Sequence, residues 1–193
     1  MFAKAIVRTV PETIAAGITS ANLGRPDYEK ALEQHEHYVG VLERCGLEVI
    51  VLGAYERYLD SVFVEDTAVV SDRCVGFGAS FVGLRRFLHL KTGVAYLGGD
   101  DLVVAGELVA NDEFECFGKI TVTPEEEYCA NCIRVNAPVL LAAVYERTKE
   151  KIAERGYEVF ELEISEFRKV DGRWSCPSLR LPIRLPAPGG WER

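Results

Sequence analysis

The sequence predicts an α/β fold, in which short strands alternate with helices along the chain. The first observation is the apolar, β-branched segment AKAIVRTV near the start, which is typical of a strand. The second is the helical spacing of apolar residues between Tyr28 and Cys45. The third is a series of strand-length apolar segments separated by glycines and polar turns. Together these patterns predict strand-helix-strand-strand modules.

The first helix has clear start and stop signals. Asp27 can cap its N-terminus, and Gly46 ends it. His35 lies on the apolar stripe of this helix with Tyr38 and Leu42, so we interpret it as a packed residue rather than a ligand.

The later segments continue the alternation. Thr92 to Gly106 predicts two strands joined by a tight turn at Gly98–Asp101, and Tyr145 to Gly156 predicts a helix. Further strands are predicted in LEVIVLG, SVFVEDTAVV, RFLHLKTG, KITVT, CIRVNAPVLLAAV and YEVFELEI. The last thirteen residues contain three prolines and two glycines, which predicts a loose tail. We therefore expect one domain over residues 1–180 and a tail over 181–193.

Length and charge limit the function classes. A chain of 193 residues with a net charge of −8 fits one acidic domain, and the charge argues against nucleic acid or an anionic membrane as a partner. The first ten residues have too short an apolar run for a signal peptide, and the longest uncharged stretch, Val135 to Tyr145, is too short to cross a bilayer. We expect a cytoplasmic protein.

One pair of the six cysteines has C-x-x-C spacing, Cys129 and Cys132 in YCANC. A zinc site needs further ligands, and the three histidines lie far away in the sequence. A redox motif would open a helix, whereas a predicted strand follows this one. The favoured interpretation is two small side chains entering a buried strand, with metal or redox chemistry as the weaker alternative.

Three groups of residues could carry chemistry. Asp60, Glu65 and Asp66 crowd the segment LDSVFVED, and carboxylates pair well with a guanidinium group, although turn acids alone would explain them. His89 lies at the edge of a predicted strand, just before a glycine. Cys176 follows Arg173, Trp174 and Ser175 and precedes a proline, which is unusual for a packed cysteine. A base beside Cys176 would make it a nucleophile.

Several long segments carry a family resemblance from about Phe2 to about Arg180. They are TSANLGRPDYEKALEQHEHYV, DSVFVEDTAVV, LHLKTGVAYL, EEEYCANCIRVN and the stretch from SEFRKVDG to SLR around Cys176. In this order they resemble dimethylarginine dimethylaminohydrolases, which belong to the guanidine-modifying superfamily. That family has the pentein fold, a five-bladed α/β propeller. It hydrolyses asymmetric dimethylarginine and monomethylarginine to citrulline and a methylated amine, with no metal or other cofactor.

The resemblance implies a role for each matching residue. It makes Cys176 the nucleophile and His89 the general acid and base. It makes Asp66 the carboxylate that holds the substrate guanidinium, with Asp60 and Glu65 as neighbouring carboxylates. Ile18 falls on the family's flexible loop over the site, and Val170 falls where a backbone carbonyl contacts the substrate amino acid. The implied partner is a small cationic guanidino compound.

The chain departs from the family between Cys74 and LHLKTG. Residues 75–87 replace a much longer family segment, which contains the glutamate that orients the histidine and the arginines that bind the substrate carboxylate. The propeller is therefore expected to be shorter than five blades. The sequence leaves open a smaller closed ring, a homodimer that covers the gap, and a poorly folded fragment. It also leaves open two functions: a hydrolase, or a family-derived guanidinium-binding protein with little or no turnover.

Overall fold

The computed structural model describes residues 1–17, 19–67 and 89–182, with only the backbone at Asp66 and Thr67. Within these residues the strands are β1 (Phe2–Arg8), β2 (Glu48–Leu52), β3 (Val94–Gly98), β4 (Asp101–Val104), β5 (Gly118–Thr121), β6 (Ile133–Arg134), β7 (Val139–Ala142), β8 (Val159–Leu162) and β9 (Ser178–Pro182). The α-helices are α1 (Tyr28–Arg44), α2 (Leu90–Gly93), α3 (Glu146–Glu154) and α4 (Ser165–Arg168). Short 3₁₀ helices cover Glu12–Ala16, Val64–Thr67, Gly106–Ala110, Asp112–Phe114 and Pro124–Ala130.

The described strands form three sheets with one recurring pattern. The strand orders are β2-β1-β9, β3-β4-β5 and β6-β7-β8. In each sheet the central strand has one parallel and one antiparallel neighbour. The parallel neighbour is reached through α1 in the first sheet, through 3₁₀ helices in the second and through α3 in the third. The predicted alternation of strands and helices is therefore confirmed as a mixed α/β fold.

The elements with strong local sequence signals form as predicted. The Asp27 side chain accepts a hydrogen bond from the Lys30 amide at 2.9 Å and caps α1, as predicted. His35 is buried on α1, and burial lowers its pKa to about 4, so it is a neutral packed residue. Strands β3 and β4 pair in antiparallel fashion around Gly98 and Gly99, whose φ angles of 98° and 59° suit the tight turn.

Two predicted strands are wrong in their described parts. The segment SVFVEDTAVV has a turn followed by the 3₁₀ helix Val64–Thr67. The segment RFLHLKTG ends in helix α2, where the Thr92 amide donates to the carbonyl of His89 at 3.0 Å. Alternating apolar residues predicted strands in both segments, but neither pairs with a strand there. Residues 68–70 and 86–88 of these segments lie outside the described residues.

The C-x-x-C cysteines lie in the hydrophobic core. Cys129 and Cys132 are buried free thiols, as the packing interpretation predicts. Burial raises the pKa of Cys129 to about 11 and that of Cys132 still further, which keeps both protonated at neutral pH. Over the described part of the chain, no group of histidine, cysteine or acidic side chains is arranged to hold a metal ion.

The end of the described chain belongs to the first sheet. Strand β9 pairs with β1 and continues to Pro182, so it includes the first two residues of the predicted tail. Residues 183–193, the short joining segment 75–87 and Ile18 lie outside the described residues. None of the helices in the described ranges is long and apolar enough to cross a membrane.

Candidate active site

Cys176 lies in a tight turn just before β9. The Cys176 amide donates to the carbonyl of Arg173 at 3.0 Å, and the side chain of Cys176 is 8% exposed. Within this turn the Trp174 ring stacks on Tyr38 of α1, with ring centroids 5.0 Å apart. Aromatic packing in the core therefore fixes the turn that carries the predicted nucleophile.

The acidic segment approaches this turn directly. The Glu65 amide donates to the carbonyl of Cys176 at 3.1 Å, so the 3₁₀ helix that contains Glu65 and Asp66 is held against the cysteine. The carboxylate of Glu65 forms an ion pair with Lys91 of α2. Two of the three predicted acids are therefore next to Cys176 in backbone position, although the side chain of Asp66 is not described.

His89 lies at the start of α2, with an exposed side chain. Its helix is joined to the Cys176 turn through a buried asparagine. The Asn131 amide donates to the carbonyl of Lys91 at 2.6 Å and to the hydroxyl of Ser175 at 3.0 Å. The Ser175 amide in turn donates to the Asn131 side-chain oxygen at 3.0 Å. The predicted base and nucleophile thus belong to segments that share one hydrogen-bond network.

A second group of predicted residues meets at Gly17. A Cβ atom placed on Gly17 would lie 2.6 Å from Cγ1 of Val170 and 2.9 Å from Oδ1 of Asp60. Only glycine fits this close approach. The loop that contains Ile18 therefore starts at a contact with both Asp60 and Val170, although these three positions are far apart in the sequence.

Phe63 joins this second group to the cysteine turn. Its ring occupies the space that a Cβ on Gly172 would fill, with Cζ only 2.5 Å from that position. The turn of Asp60 is closed by the Phe63 amide, which donates to the Asp60 carbonyl at 3.0 Å. The acidic segment is therefore packed against the loop that leads into Cys176.

Arg173 supplies a positive charge on the same turn as Cys176. Its guanidinium lies over the Tyr128 ring, 4.7 Å from the centroid, and donates to the Tyr128 carbonyl at 3.2 Å. Burial lowers the pKa of Arg173, and the negative forms of Tyr128 and Cys176 oppose that shift. Arg173 thus places a positive charge on the turn that its carbonyl closes with the Cys176 amide, and a positive charge near a thiol favours the thiolate.

A cleft of about 570 Å³ borders the acidic segment. Its lining residues are Arg8, Tyr55, Arg57, Tyr58, Leu59, Asp60, Ser61, Phe63 and Val64. Asp60 therefore has access to a space large enough for a small ligand.

Sequence reasoning missed three residues of this arrangement: Asn131, Ser175 and Arg173. Asn131 lies between the two cysteines of YCANC, whose C-x-x-C spacing points to sulfur chemistry. Ser175 and Arg173 are polar neighbours of Cys176 in the sequence, and nothing local assigns them a role. A polar residue inside the buried YCANC segment was the available signal, because a buried amide needs hydrogen-bond partners.

We expect Cys176 to react with iodoacetamide faster than the other five cysteines. Arg173 favours the Cys176 thiolate, whereas a thiol with a pKa of about 11, as at Cys129, is only roughly one ten-thousandth ionised at pH 7. Brief labelling of the folded protein followed by peptide mapping measures this order. Cys116, which is exposed, serves as the reference for ordinary reactivity. Labelling of Cys176 no faster than that of Cys116 would contradict an activated thiol.

The sequence of this chain is similar to those of several known proteins. No family model matches it. The chain aligns with the N(G),N(G)-dimethylarginine dimethylaminohydrolase of Pseudomonas aeruginosa over 254 positions at 35% identity. The match covers 94% of this chain and 100% of that protein. The chain belongs to the dimethylarginine dimethylaminohydrolase family. A dimethylarginine dimethylaminohydrolase of Streptomyces coelicolor is 25% identical over 251 residues.

Solved structures of the family match the fold closely. A serine-for-cysteine variant of the Pseudomonas aeruginosa dimethylarginine dimethylaminohydrolase, in complex with citrulline, superposes with a TM-score of 0.89. That match covers 94% of this chain and 100% of the other, at 35% identity. A glycine-for-histidine variant of a dimethylarginine dimethylaminohydrolase, as an adduct with S-methyl-L-thiocitrulline, gives 0.87 at 34% identity over the same shares. The N-terminal domain of a cyanobacterial arginine dihydrolase shares the fold alone, with a TM-score of 0.75 at 18% identity over 96% of this chain and all of that domain.

Proposed function

We propose that this protein hydrolyses asymmetric dimethylarginine or monomethylarginine to citrulline and a methylated amine. The single observation that carries the proposal is the junction at Cys176. The backbone bond from Glu65 brings the acidic segment to the cysteine, and the Asn131 network ties the His89 segment to the same turn. The support from relatives is the 35% identity to a dimethylarginine dimethylaminohydrolase.

In the proposed reaction, Asp66 binds the cationic guanidinium of the substrate and orients its central carbon toward the sulfur. The Cys176 thiolate attacks this carbon, and a carbon–sulfur bond forms. His89 donates a proton to the leaving nitrogen, so that the carbon–nitrogen bond breaks and the methylated amine departs. A thiouronium intermediate remains on Cys176.

The second half of the reaction releases the product. His89, now neutral, takes a proton from water, and the resulting hydroxide attacks the thiouronium carbon. The carbon–sulfur bond breaks, the new hydroxyl group loses its proton to solvent, citrulline leaves, and the thiolate is restored. Two steps are easier than one because resonance makes a guanidinium a poor target for direct attack by water. No metal or organic cofactor is needed for this chemistry.

The amino-acid end of the substrate is assigned to the Gly17 contact. Here Asp60 supplies a negative charge, and Val170 supplies a backbone carbonyl as an acceptor for the substrate ammonium group. Ile18 would cover the bound molecule. The packing of Gly17 against both Asp60 and Val170 supports this assignment.

We also propose that the three sheets are blades of a shortened pentein-type propeller in one domain, residues 1–180. The recurring sheet pattern and the TM-score of 0.89 support this arrangement. A homodimer would cover the sheet edges that a lost segment leaves open.

The alternative is a family-derived guanidinium-binding protein with little or no turnover. It is favoured by one observation: the alignment with the Pseudomonas aeruginosa protein spans 254 positions and covers all of that protein, whereas this chain has only 193 residues to place in it. In the family, the longer segment supplies the glutamate behind the histidine and the arginines for the substrate carboxylate. Loss of these groups would weaken both proton transfer and substrate recognition.

A citrulline assay separates the two functions. The purified protein is mixed with asymmetric dimethylarginine, monomethylarginine or arginine in large molar excess, and citrulline is measured over time. The proposal predicts many citrulline molecules per protein molecule from a methylated substrate. A well-folded protein, checked by circular dichroism, that binds these compounds and releases no citrulline would establish the alternative.

We expect Asp66→Asn to weaken the binding of guanidinium ligands about tenfold or more, because a charge-assisted hydrogen bond contributes about 1.5–3 kcal/mol. The substitution removes the charge and keeps the side-chain shape. Titration calorimetry with an arginine analogue measures the change. Asp100→Asn, at an exposed turn position between β3 and β4, is the matched control. An unchanged affinity in Asp66→Asn would show that this residue is only a turn acid.

A further inference from the structure

Asn131 has no part in the proposed chemistry, yet its side chain makes three hydrogen bonds beside the Cys176 turn. It is 4% exposed and follows the 3₁₀ helix Pro124–Ala130. Both hydrogens of its amide are donated, at 2.6 Å to the Lys91 carbonyl and at 3.0 Å to the Ser175 hydroxyl. Its oxygen accepts from the Ser175 amide at 3.0 Å. A side chain with two donors and an acceptor in one planar fork fits this set of partners.

The bond to Lys91 holds the segment of His89. Helix α2 has only four residues, which is too short to be stable by itself. His89 immediately precedes it, and its carbonyl accepts from the Thr92 amide within the same turn. The bond from Asn131 therefore adds a buried anchor to this short helix, beside the Glu65–Lys91 ion pair and the bond from the Ala105 amide to the Gly93 carbonyl.

The bonds to Ser175 reach the sulfur atom. The hydroxyl of Ser175 lies 3.8 Å from the sulfur of Cys176. Because Asn131 donates to this hydroxyl, the hydroxyl hydrogen is available to point at the sulfur, and a thiolate can only accept. The Asn131 amide donates to the Ser175 hydroxyl, and this bond makes the Ser175 hydroxyl a stronger donor to the sulfur. A stronger donor beside the sulfur favours the thiolate over the thiol.

We propose that Asn131 is a positioning residue that holds His89 and Cys176 in their reactive arrangement and aims the Ser175 hydroxyl at the sulfur. It touches neither substrate nor reacting atoms and acts through these neighbours. The turnover part of this inference rests on the proposed hydrolysis. The part that concerns the thiolate does not, because it is measured by alkylation alone.

The test compares Asn131→Asp with Asn136→Asp. Asn136 is the control, because its side chain makes a similar three-bond bridge at a half-buried position away from the site: it accepts from the Phe2 amide at 2.7 Å and donates to the carbonyls of Phe2 and Cys45 at 3.1 and 2.9 Å. Asn131→Asp keeps the acceptor for Ser175 but removes both donors and adds a negative charge. Ser175→Ala removes only the hydroxyl and serves as a second variant if Asn131→Asp does not fold.

The first readout is the pH dependence of Cys176 alkylation by iodoacetamide, followed by peptide mapping. Loss of the donors and the added negative charge both disfavour the thiolate, so the pKa of Cys176 rises, and we expect the midpoint to move up by about one pH unit in Asn131→Asp. Ser175→Ala should shift it in the same direction, and Asn136→Asp should leave it unchanged. An unchanged midpoint in Ser175→Ala, which adds no charge, or a shift in Asn136→Asp equal to that in Asn131→Asp, would overturn the inference.

The second readout is turnover of the methylated substrate. We expect kcat to fall about tenfold or more in Asn131→Asp with KM changed less than about threefold, because a misplaced histidine slows proton transfer. The Cys176 adduct should break down at the same rate in His89→Ala and in the double variant His89→Ala with Asn131→Asp. If the rate loss in the double variant equals the product of the two single losses, Asn131 does not act through His89. If the unsubstituted protein releases no citrulline, the proposed function fails, and the alkylation midpoints alone decide the inference.

Discussion

Cys176→Ser is expected to reduce citrulline formation to below about one thousandth of that of the unsubstituted protein. A serine hydroxyl has a far higher pKa than a thiol, and Arg173 and Ser175 are placed to favour a thiolate rather than to remove a proton from an alcohol. Binding of the substrate should persist, because the acidic segment is held by the carbonyl of Cys176, which the substitution keeps. Citrulline assays and calorimetry on the same preparation measure the two quantities.

Cys116→Ser is the control for this variant. Cys116 is exposed and outside the site, so its replacement should leave turnover unchanged within experimental error. Substantial turnover in Cys176→Ser would assign the nucleophile to another residue and would remove the basis of the proposed mechanism.

His89→Ala is expected to slow turnover by about 10²–10⁴-fold, the usual contribution of a general acid and base. With a methylated substrate both steps should slow, because the residue donates a proton to the leaving amine and then deprotonates the attacking water. With S-methyl-L-thiocitrulline, whose thiol leaving group needs little help from an acid, the adduct on Cys176 should still form and persist. Intact-protein mass spectrometry at successive times measures formation and decay separately.

The control for His89 is another exposed histidine. His37→Ala, on the outer face of α1, should change neither adduct formation nor its decay. Equal decay rates in His89→Ala and the unsubstituted protein would exclude His89 as the base that activates water.

The parts of the fold that the sequence predicted are those with local causes. Helix α1 has a cap at Asp27 and an apolar stripe, and the turn between β3 and β4 has glycines at positive φ. Each signal acts within a few residues of chain, so it can be interpreted without knowledge of the remainder of the fold. The same holds for the burial of Cys129 and Cys132, which follows from the apolar segment around them.

The two wrong strands show the limit of such patterns. The segments around Glu65 and His89 alternate like strands, yet contacts with distant parts of the chain decide their structure. The Glu65 amide bonds to Cys176, and the Lys91 carbonyl bonds to Asn131. Such bonds join positions that are 40 or more residues apart, and no local preference encodes them.

The candidate site divides in the same way. The roles proposed for Cys176, His89 and the acids come from residue types and from the family resemblance. The partners of the supporting residues do not follow from the sequence, because Asn131 and Gly17 act through neighbours that the fold brings to them. A buried asparagine and a glycine under two side chains become meaningful only once the three-dimensional contacts are known.

The central claim is that Cys176 forms a covalent intermediate that is then hydrolysed. The most direct measurement is mass spectrometry of the unsubstituted protein, acid-quenched during reaction with excess asymmetric dimethylarginine, with peptide mapping of the modified residue and citrulline measured in the same samples. The account predicts an adduct on the Cys176 peptide that disappears as substrate is exhausted, with citrulline in molar excess over protein. A folded protein that binds the substrate but shows neither adduct nor citrulline, or one that carries the adduct on a different cysteine, would contradict it.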